Sequence, residues 1–70
     1  MGDPVETELE MAERHVRRGE IIIEQQRLLV QRIAKAGGST VDARGLLAVV
    51  EVIQAEHLIH LARVMNVCKE

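Results

Sequence analysis

Apolar or small side chains recur along the first half of the chain at Val5, Leu9, Ala12, Val16, Gly19, Ile23, Val30 and Ile33. The steps alternate between four and three residues, with Gln26 as the single polar interruption. That period lays them along one stripe of an α-helix, which Ile22, Leu29 and Ala36 widen on one side. Asp3 can cap a free backbone N–H, Pro4 suits a first helical position, and Glu6 follows three residues after the cap. The pattern predicts a helix over about 4–36. Gly37-Gly38 stops it, because glycine enters the left-handed conformation after a last turn at little steric cost. Ser39-Thr40-Val41-Asp42 then restarts a helix, with Ser39 or Thr40 as its cap. A turn over 37–40 is short enough to make the two helices antiparallel neighbours.

The second helix, over about 41–66, has a different pattern. Its main stripe is Ala43, Leu46/Leu47, Val50, Ile53, His57, Leu61, Val64 and Cys68. Val49, Val52 and Ile59 lie on another side, and Ala48, Ala55 and Ala62 on a third. Between Ala43 and Asn66 the charged residues are Arg44, Glu51, Glu56 and Arg63 alone. A helix that is apolar almost all round is normally buried almost all round. The fold class read from these patterns is all-α, an antiparallel two-helix hairpin forming one domain over residues 1–70.

A hairpin covers only one side of each helix. At 70 residues the chain is below the size at which a single core supplies more than a few kcal/mol, and it has no disulfide to staple it. Helix 2 has apolar residues to spare, and Ile21 and Leu28 lie opposite the main stripe of helix 1. The expected partner is therefore the chain itself, as a homodimeric four-helix bundle, or as a tetramer if Ile21 and Leu28 are also used. The expected oligomer interface is Leu46, Val50, Ile53, His57, Leu61, Ile21 and Leu28. Another helical protein is the second kind of partner that such a surface suits.

Composition removes several other functions. There is no Phe, Trp or Tyr, so no aromatic ring is present to stack on a base or cage a cation. The single cysteine excludes an internal disulfide framework. Charge follows the helix dipole, with five acids and no base in the first thirteen residues, then six bases and two acids from Arg14 to Ala36. Glu10–Arg14 and Glu13–Arg17 are spaced as i,i+4 pairs. No secretory leader is legible, and each uncharged stretch is shorter than the 20 or so residues of a membrane span. These features lead us to expect a cytoplasmic protein with no membrane partner.

The residues Ala12-Glu13-Arg14-His15-Val16, Gly19-Glu20, Gln26, Ile33, Gly37, Thr40, Leu46-Leu47, Glu51 and His57 resemble a set of short bacterial helical-hairpin proteins with no assigned function. The resemblance covers roughly residues 12 to 60 and implies a hairpin, with no activity attached. The architecture alone is similar to Rop-type RNA-binding proteins, whose RNA-contacting aromatic residue this chain lacks. It is similar in the same way to small sporulation-type aspartyl phosphatases. Their Ser-Gln-Glu-Leu-Asp motif is replaced here by Leu46-Leu47-Ala48-Val49-Val50-Glu51.

Three groups of side chains carry candidate chemistry. His57, His60 and Glu56 have helical spacing suited to metal ligands. The residue three before His57 is Gln54, however, not the carboxylate of a Glu-x-x-His motif. The expectation is no metal and no cofactor, with His57 near Ile21 or Ile22 and Glu20, in the core or an interface. His15, Arg17 and Arg18 fall near His60 and Arg63 in the same register and could hold an anion. Arg14, Arg17, Arg18, Arg32 and Lys35, with Arg27 alongside, form a face that could bind nucleic-acid backbone. The net charge of −2 disfavours that reading, as do Ile21 and Leu28, which interrupt the face. Cys68 has no readable base beside it, and Ser39 and Thr40 read as caps. We therefore expect a non-enzymatic helical module that acts through protein–protein contact.

Overall fold

A computed structural model describes residues 6–69, with side-chain surroundings through Val67. It is an antiparallel hairpin of two helices in contact, α1 (Glu8–Lys35) and α2 (Val41–Lys69). Helix α1 starts four residues later than the sequence pattern suggests. Its N-cap is Thr7, in extended backbone at φ −71° and ψ 161°. The Thr7 hydroxyl accepts from the Glu10 N–H at 3.1 Å, and the Glu10 carboxylate accepts from the Thr7 N–H at 3.0 Å. This is a closed Thr-x-x-Glu capping box. Glu6 takes two 2.9 Å hydrogen bonds from the Arg14 guanidinium. The cap expected at Asp3 and the first turn at Pro4 lie outside the described residues. Arg14 thus pairs with Glu6, and not with Glu10, whose carboxylate is committed to the cap.

Both pairings hold carboxyl groups below their ordinary value of 4.5: hydrogen bonds from the Thr7 backbone and side chain do so for Glu10, and the Arg14 hydrogen bond for Glu6. A depressed folded-state pKa contributes stability that is present above pH 4.5 and lost as pH falls through the lowered value. The first turn of α1 should therefore fray in acid below that point, read as lost far-ultraviolet helicity. Thr7→Ala should cost about 1 kcal/mol at neutral pH and reduce the Glu10 share of this acid sensitivity by the hydroxyl's part, the larger backbone bond being kept. Unchanged stability of Thr7→Ala at neutral pH would show that the box is not closed in solution.

The C-terminal end of α1 closes as the paired glycines suggest. Gly37 has φ +79°, the left-handed region that L side chains rarely adopt. Gly38 N–H donates to Ile33 C=O at 3.0 Å and Gly37 N–H to Ala34 C=O at 3.1 Å. That is a Schellman motif. The Thr40 carbonyl accepts the first bond of α2, from Arg44 N–H at 2.8 Å, while the Ser39 hydroxyl accepts from Val41 N–H at 3.4 Å.

Along α1 the side facing α2 is the stripe read from the sequence. Ala12, Val16 and Gly19 are buried, and Leu9, Ile23, Gln26, Val30 and Ile33 are half-buried. On α2 the facing residues are Ala43, Leu47, Val50, Gln54, His57, Leu61 and Val64. This corrects the expected stripe at two places: Leu46 and Ile53 lie outside it, and Gln54 takes the position given to Ile53. The steps between facing residues on α2 are again threes and fours, and they centre the seam on 50, 54, 57 and 61, which leaves 53 at its edge, exposed beside the helix interface.

Two glutamines tie the helices together in reciprocal fashion. Gln26 of α1 donates to Ala43 C=O of α2, and Gln54 of α2 donates to Val16 C=O of α1, each at 2.9 Å. Each bond uses the second lone pair of a helical carbonyl and needs a close approach of the two backbones. Gly19 provides it in one case. A Cβ on Gly19 would overlap the Gln54 carboxamide, whose oxygen approaches the glycine most closely.

The hairpin is thin and extended. Its smallest dimension is 13 Å and its radius of gyration is 16.2 Å, against about 11 Å for a compact chain of this length. The accessible surface is 5695 Å², where about 4,400 Å² is typical for a globular monomer of this mass. The only buried apolar side chains among the described residues are Ala12, Val16 and Val64. One expectation about membranes also changes. By length and composition α2, over Val41–Val67, is apolar enough to cross a bilayer. Counting uncharged stretches missed this because Glu51 and Glu56 interrupt them without lowering the average far enough.

Candidate functional site

The two faces of the hairpin differ. On one, Arg27 of α1 lies 3.5 Å from Glu51 of α2, both about half exposed. On the other is an open cavity of about 160 Å³ lined by His15, Arg18, Gly19 and Ile22 of α1 and Val50, Ile53, Gln54 and His57 of α2. Each of these residues lies within about one turn of the Gly19–Gln54 crossing, which places the cavity.

Gln54 organises this cavity. The residue is 7% exposed, and both its amide nitrogen and its amide oxygen have a hydrogen-bond partner. A backbone carbonyl can only accept, so the nitrogen of the carboxamide must face Val16 C=O. The carboxamide oxygen then faces His57, with Oε1 3.3 Å from Nδ1. An amide oxygen can only accept, so Nδ1 of His57 carries the proton and donates. In the neutral ring this leaves Nε2 with a free lone pair. Across the helix interface the His15 ring stands 5.4 Å from the His57 ring, centroid to centroid, with the planes inclined at 36°. Both histidines are half-buried.

The grouping expected from the sequence differs from this one. His57, His60 and Glu56 are not brought together, and no cluster of three or more His, Cys, Asp or Glu suited to a metal occurs among the described residues. His60 turns toward the open end of the hairpin, where its Nε2 lies 4.0 Å from the Glu8 carboxylate. There it lines a second cavity, of about 450 Å³, with Thr7, Leu9, Arg63, Val64 and Val67. The expected anion cluster is therefore divided: His15 and Arg18 belong to the first cavity, His60 and Arg63 to the second. His57 does meet Ile22 as expected, but its polar neighbours are Gln54 and His15 instead of Glu20.

The basic residues of α1 are divided as well. Arg14 is held by Glu6 and Arg27 by Glu51. Arg18 is at the histidine cavity, and Arg32 and Lys35 flank Leu28 and Gln31 in a shallow depression near the turn. Arg17 is exposed. The residues expected at an oligomer interface are also divided. Ile53, Val50 and His57 share the cavity. Leu46 is exposed on α2, while Leu61 is half-buried in the seam against α1. Ile21 and Leu28 are exposed on the outside of α1.

Gln54, Gly19 and the partnership of His15 with His57 were not legible as a site. The only available signal was that Gln26 and Gln54 each fall on a three-four repeat of otherwise apolar residues. A search against known proteins finds no match among family models, curated proteins or solved structures.

Proposed function

We propose that the protein is a helical assembly module that works by contact with a second copy of itself, and not by catalysis. The observation that carries this reading is the apolar surface the hairpin leaves open. Val52 is 62% exposed and Ile21 57%, and Leu46, Val49, Leu58 and Ile59 are exposed alongside them. A surface this large and apolar marks an interaction site. Two hairpins stacked as a four-helix bundle on the side opposite Glu51 would cover Leu46, Val49 and Ile53 and leave the Arg27–Glu51 side, with Leu58, in water.

A bilayer is the other medium that would accept α2. Two acids argue for a second copy instead. Glu51 and Glu56 both fall within the apolar length of α2, and placing a charged side chain near a bilayer centre costs about 2.5–3.5 kcal/mol on the insertion scale. The outer side of α1 also carries Glu13, Arg17, Glu20 and Glu24, all exposed to water.

Sedimentation equilibrium at micromolar concentration, without detergent, tests the reading. The expected mass is twice the 7.8 kDa of one chain, or a higher even multiple. A helical, monodisperse single chain under these conditions would overturn the proposal, as would a protein that stays in solution only with detergent.

A further inference from the structure

We infer that His15 and His57 make the pairing of two copies sensitive to acid: neutral, the two rings fit inside the covered face, and protonated, they drive the copies apart. This rests on the self-assembly proposed above and adds what regulates it. The starting point is position. The rings stand 5.4 Å apart, one from each helix, on the side of the hairpin away from the Arg27–Glu51 pair. They line their cavity together with Ile22, Val50 and Ile53. Ile53 also lines a shallow apolar depression with Ala48, Val49 and Val52, so the histidines adjoin the surface that a second copy would cover.

Charge gives that position its consequence. Histidine is the side chain that ordinarily changes charge between about pH 5 and 8. Because Gln54 Oε1 accepts from Nδ1 of His57, a proton taken up by that ring goes to Nε2 and leaves the bond in place. The new charge meets other cations. His15 and Arg18 of α1 share the cavity with His57, and among the described residues no carboxylate lines it. The neighbouring acids are committed or outside. Glu6 is held by Arg14 through two 2.9 Å hydrogen bonds, and Glu8 lies 4.0 Å from His60. Along α2 the next ionisable groups, Glu56 and His60, are both exposed.

A two-fold pair lays the same patch of each copy against the other, so the second copy brings its own His15, Arg18 and His57 to the interface. In acid the covered face would hold imidazolium groups beside arginines, short of both water and acids, which is a costly arrangement for like charges. Separated hairpins, whose two rings are half-buried at most, take up protons that the pair excludes. The pairing is therefore strong at neutral and alkaline pH and lost as pH falls through the histidine range. Each ring that must stay neutral weakens it by up to about tenfold per pH unit. Glu6 and Glu10 keep their hydrogen bonds until below pH 4.5, so the helices stay formed while the copies separate.

Sedimentation equilibrium of the full chain at about pH 8 and about pH 5, at one ionic strength, tests this. The parent is expected as a pair at the higher pH and as a single helical chain at the lower, with a dissociation constant raised at least about 100-fold. The double variant His15→Gln/His57→Gln keeps polar side chains that do not titrate, and should stay paired at both pH values. Each single substitution should reduce the shift, and His60→Gln should separate in acid as the parent does. Far-ultraviolet helicity at the higher pH is the folding control, and the parent's own pH dependence needs no variant. Equal dissociation constants at the two pH values would overturn the inference while leaving the pair intact. A double variant that still separates in acid would overturn it too, as would tighter pairing in acid, which would place acids of the second copy against the imidazoles. A parent that is a single chain at the higher pH would overturn the self-assembly reading and this inference with it.

Discussion

Replacing Ile53 by Asp is expected to break the assembly while leaving the helices of the isolated hairpin formed. The two possible environments of this side chain predict very different costs. In a lone hairpin Ile53 is 43% exposed, and a substitution at such a surface position typically changes stability by no more than about 0.5 kcal/mol. If a second copy covers the cavity face, the same change buries an unpaired carboxylate and costs several kcal/mol. Sedimentation should then show the variant as a single chain at concentrations where the parent is double. Its helicity should be lost on mild heating at a temperature independent of concentration, whereas the parent's should fall on dilution because assembly and folding are linked by mass action. Glu20→Gln, exposed on α1, serves as the control and should leave the mass unchanged. An Ile53→Asp protein with the parent's mass would place the interface elsewhere, with the Val49 and Val52 side of α2 the next candidate.

The second large effect concerns the Gly19–Gln54 crossing and is a coupling between two substitutions. Gly19→Ala alone should gain about 1 kcal/mol from helix propensity. It must also push the Gln54 carboxamide off the glycine, which breaks the bond to Val16 C=O and displaces a buried amide, at about 1–3 kcal/mol. The net expectation is a loss of about 1–2 kcal/mol once the disturbed packing is included. Gln54→Ala alone leaves space over Gly19 and should cost a similar amount, on the order of 1–2 kcal/mol. Together the two changes should restore stability to the parent's level or above it, since the new Cβ fills the space the carboxamide leaves. Chemical denaturation at one fixed protein concentration measures the cycle. Additivity within about 0.5 kcal/mol would show that the two residues do not touch in the way described.

The same crossing shows where the sequence was legible. On α1 the polar positions are frequent enough to give the apolar stripe a phase, so Leu9 through Ile33 could be placed, including Gln26 as a member of the stripe. On α2 apolar residues occur at almost every angle, and a pattern with no polar side has no phase. Choosing Ile53 over Gln54 for the seam followed hydrophobicity, which is a poor guide where a buried amide can find a carbonyl. The start of α1 was ambiguous for a different reason. Asp3 and Thr7 both precede a glutamate by three residues, so the sequence offers two capping boxes, and the helix that the structure describes begins from the one at Thr7. The histidine pair was hidden by distance along the chain, since the spacing of His57 from His60 is visible in the sequence and its proximity to His15 is not.

The amino-acid order by itself determined that this chain makes two helices, where the glycine turn between them falls, and which side of α1 is covered. Local preferences and a helical period act within a few residues and require no partner. Only the packed hairpin decided which residues of α2 face inward, that Gln54 is buried, and that two imidazoles meet across the interface. Those outcomes depend on how close the two backbones come at Gly19. That distance is set by the contact between helices and is not a property of either helix alone.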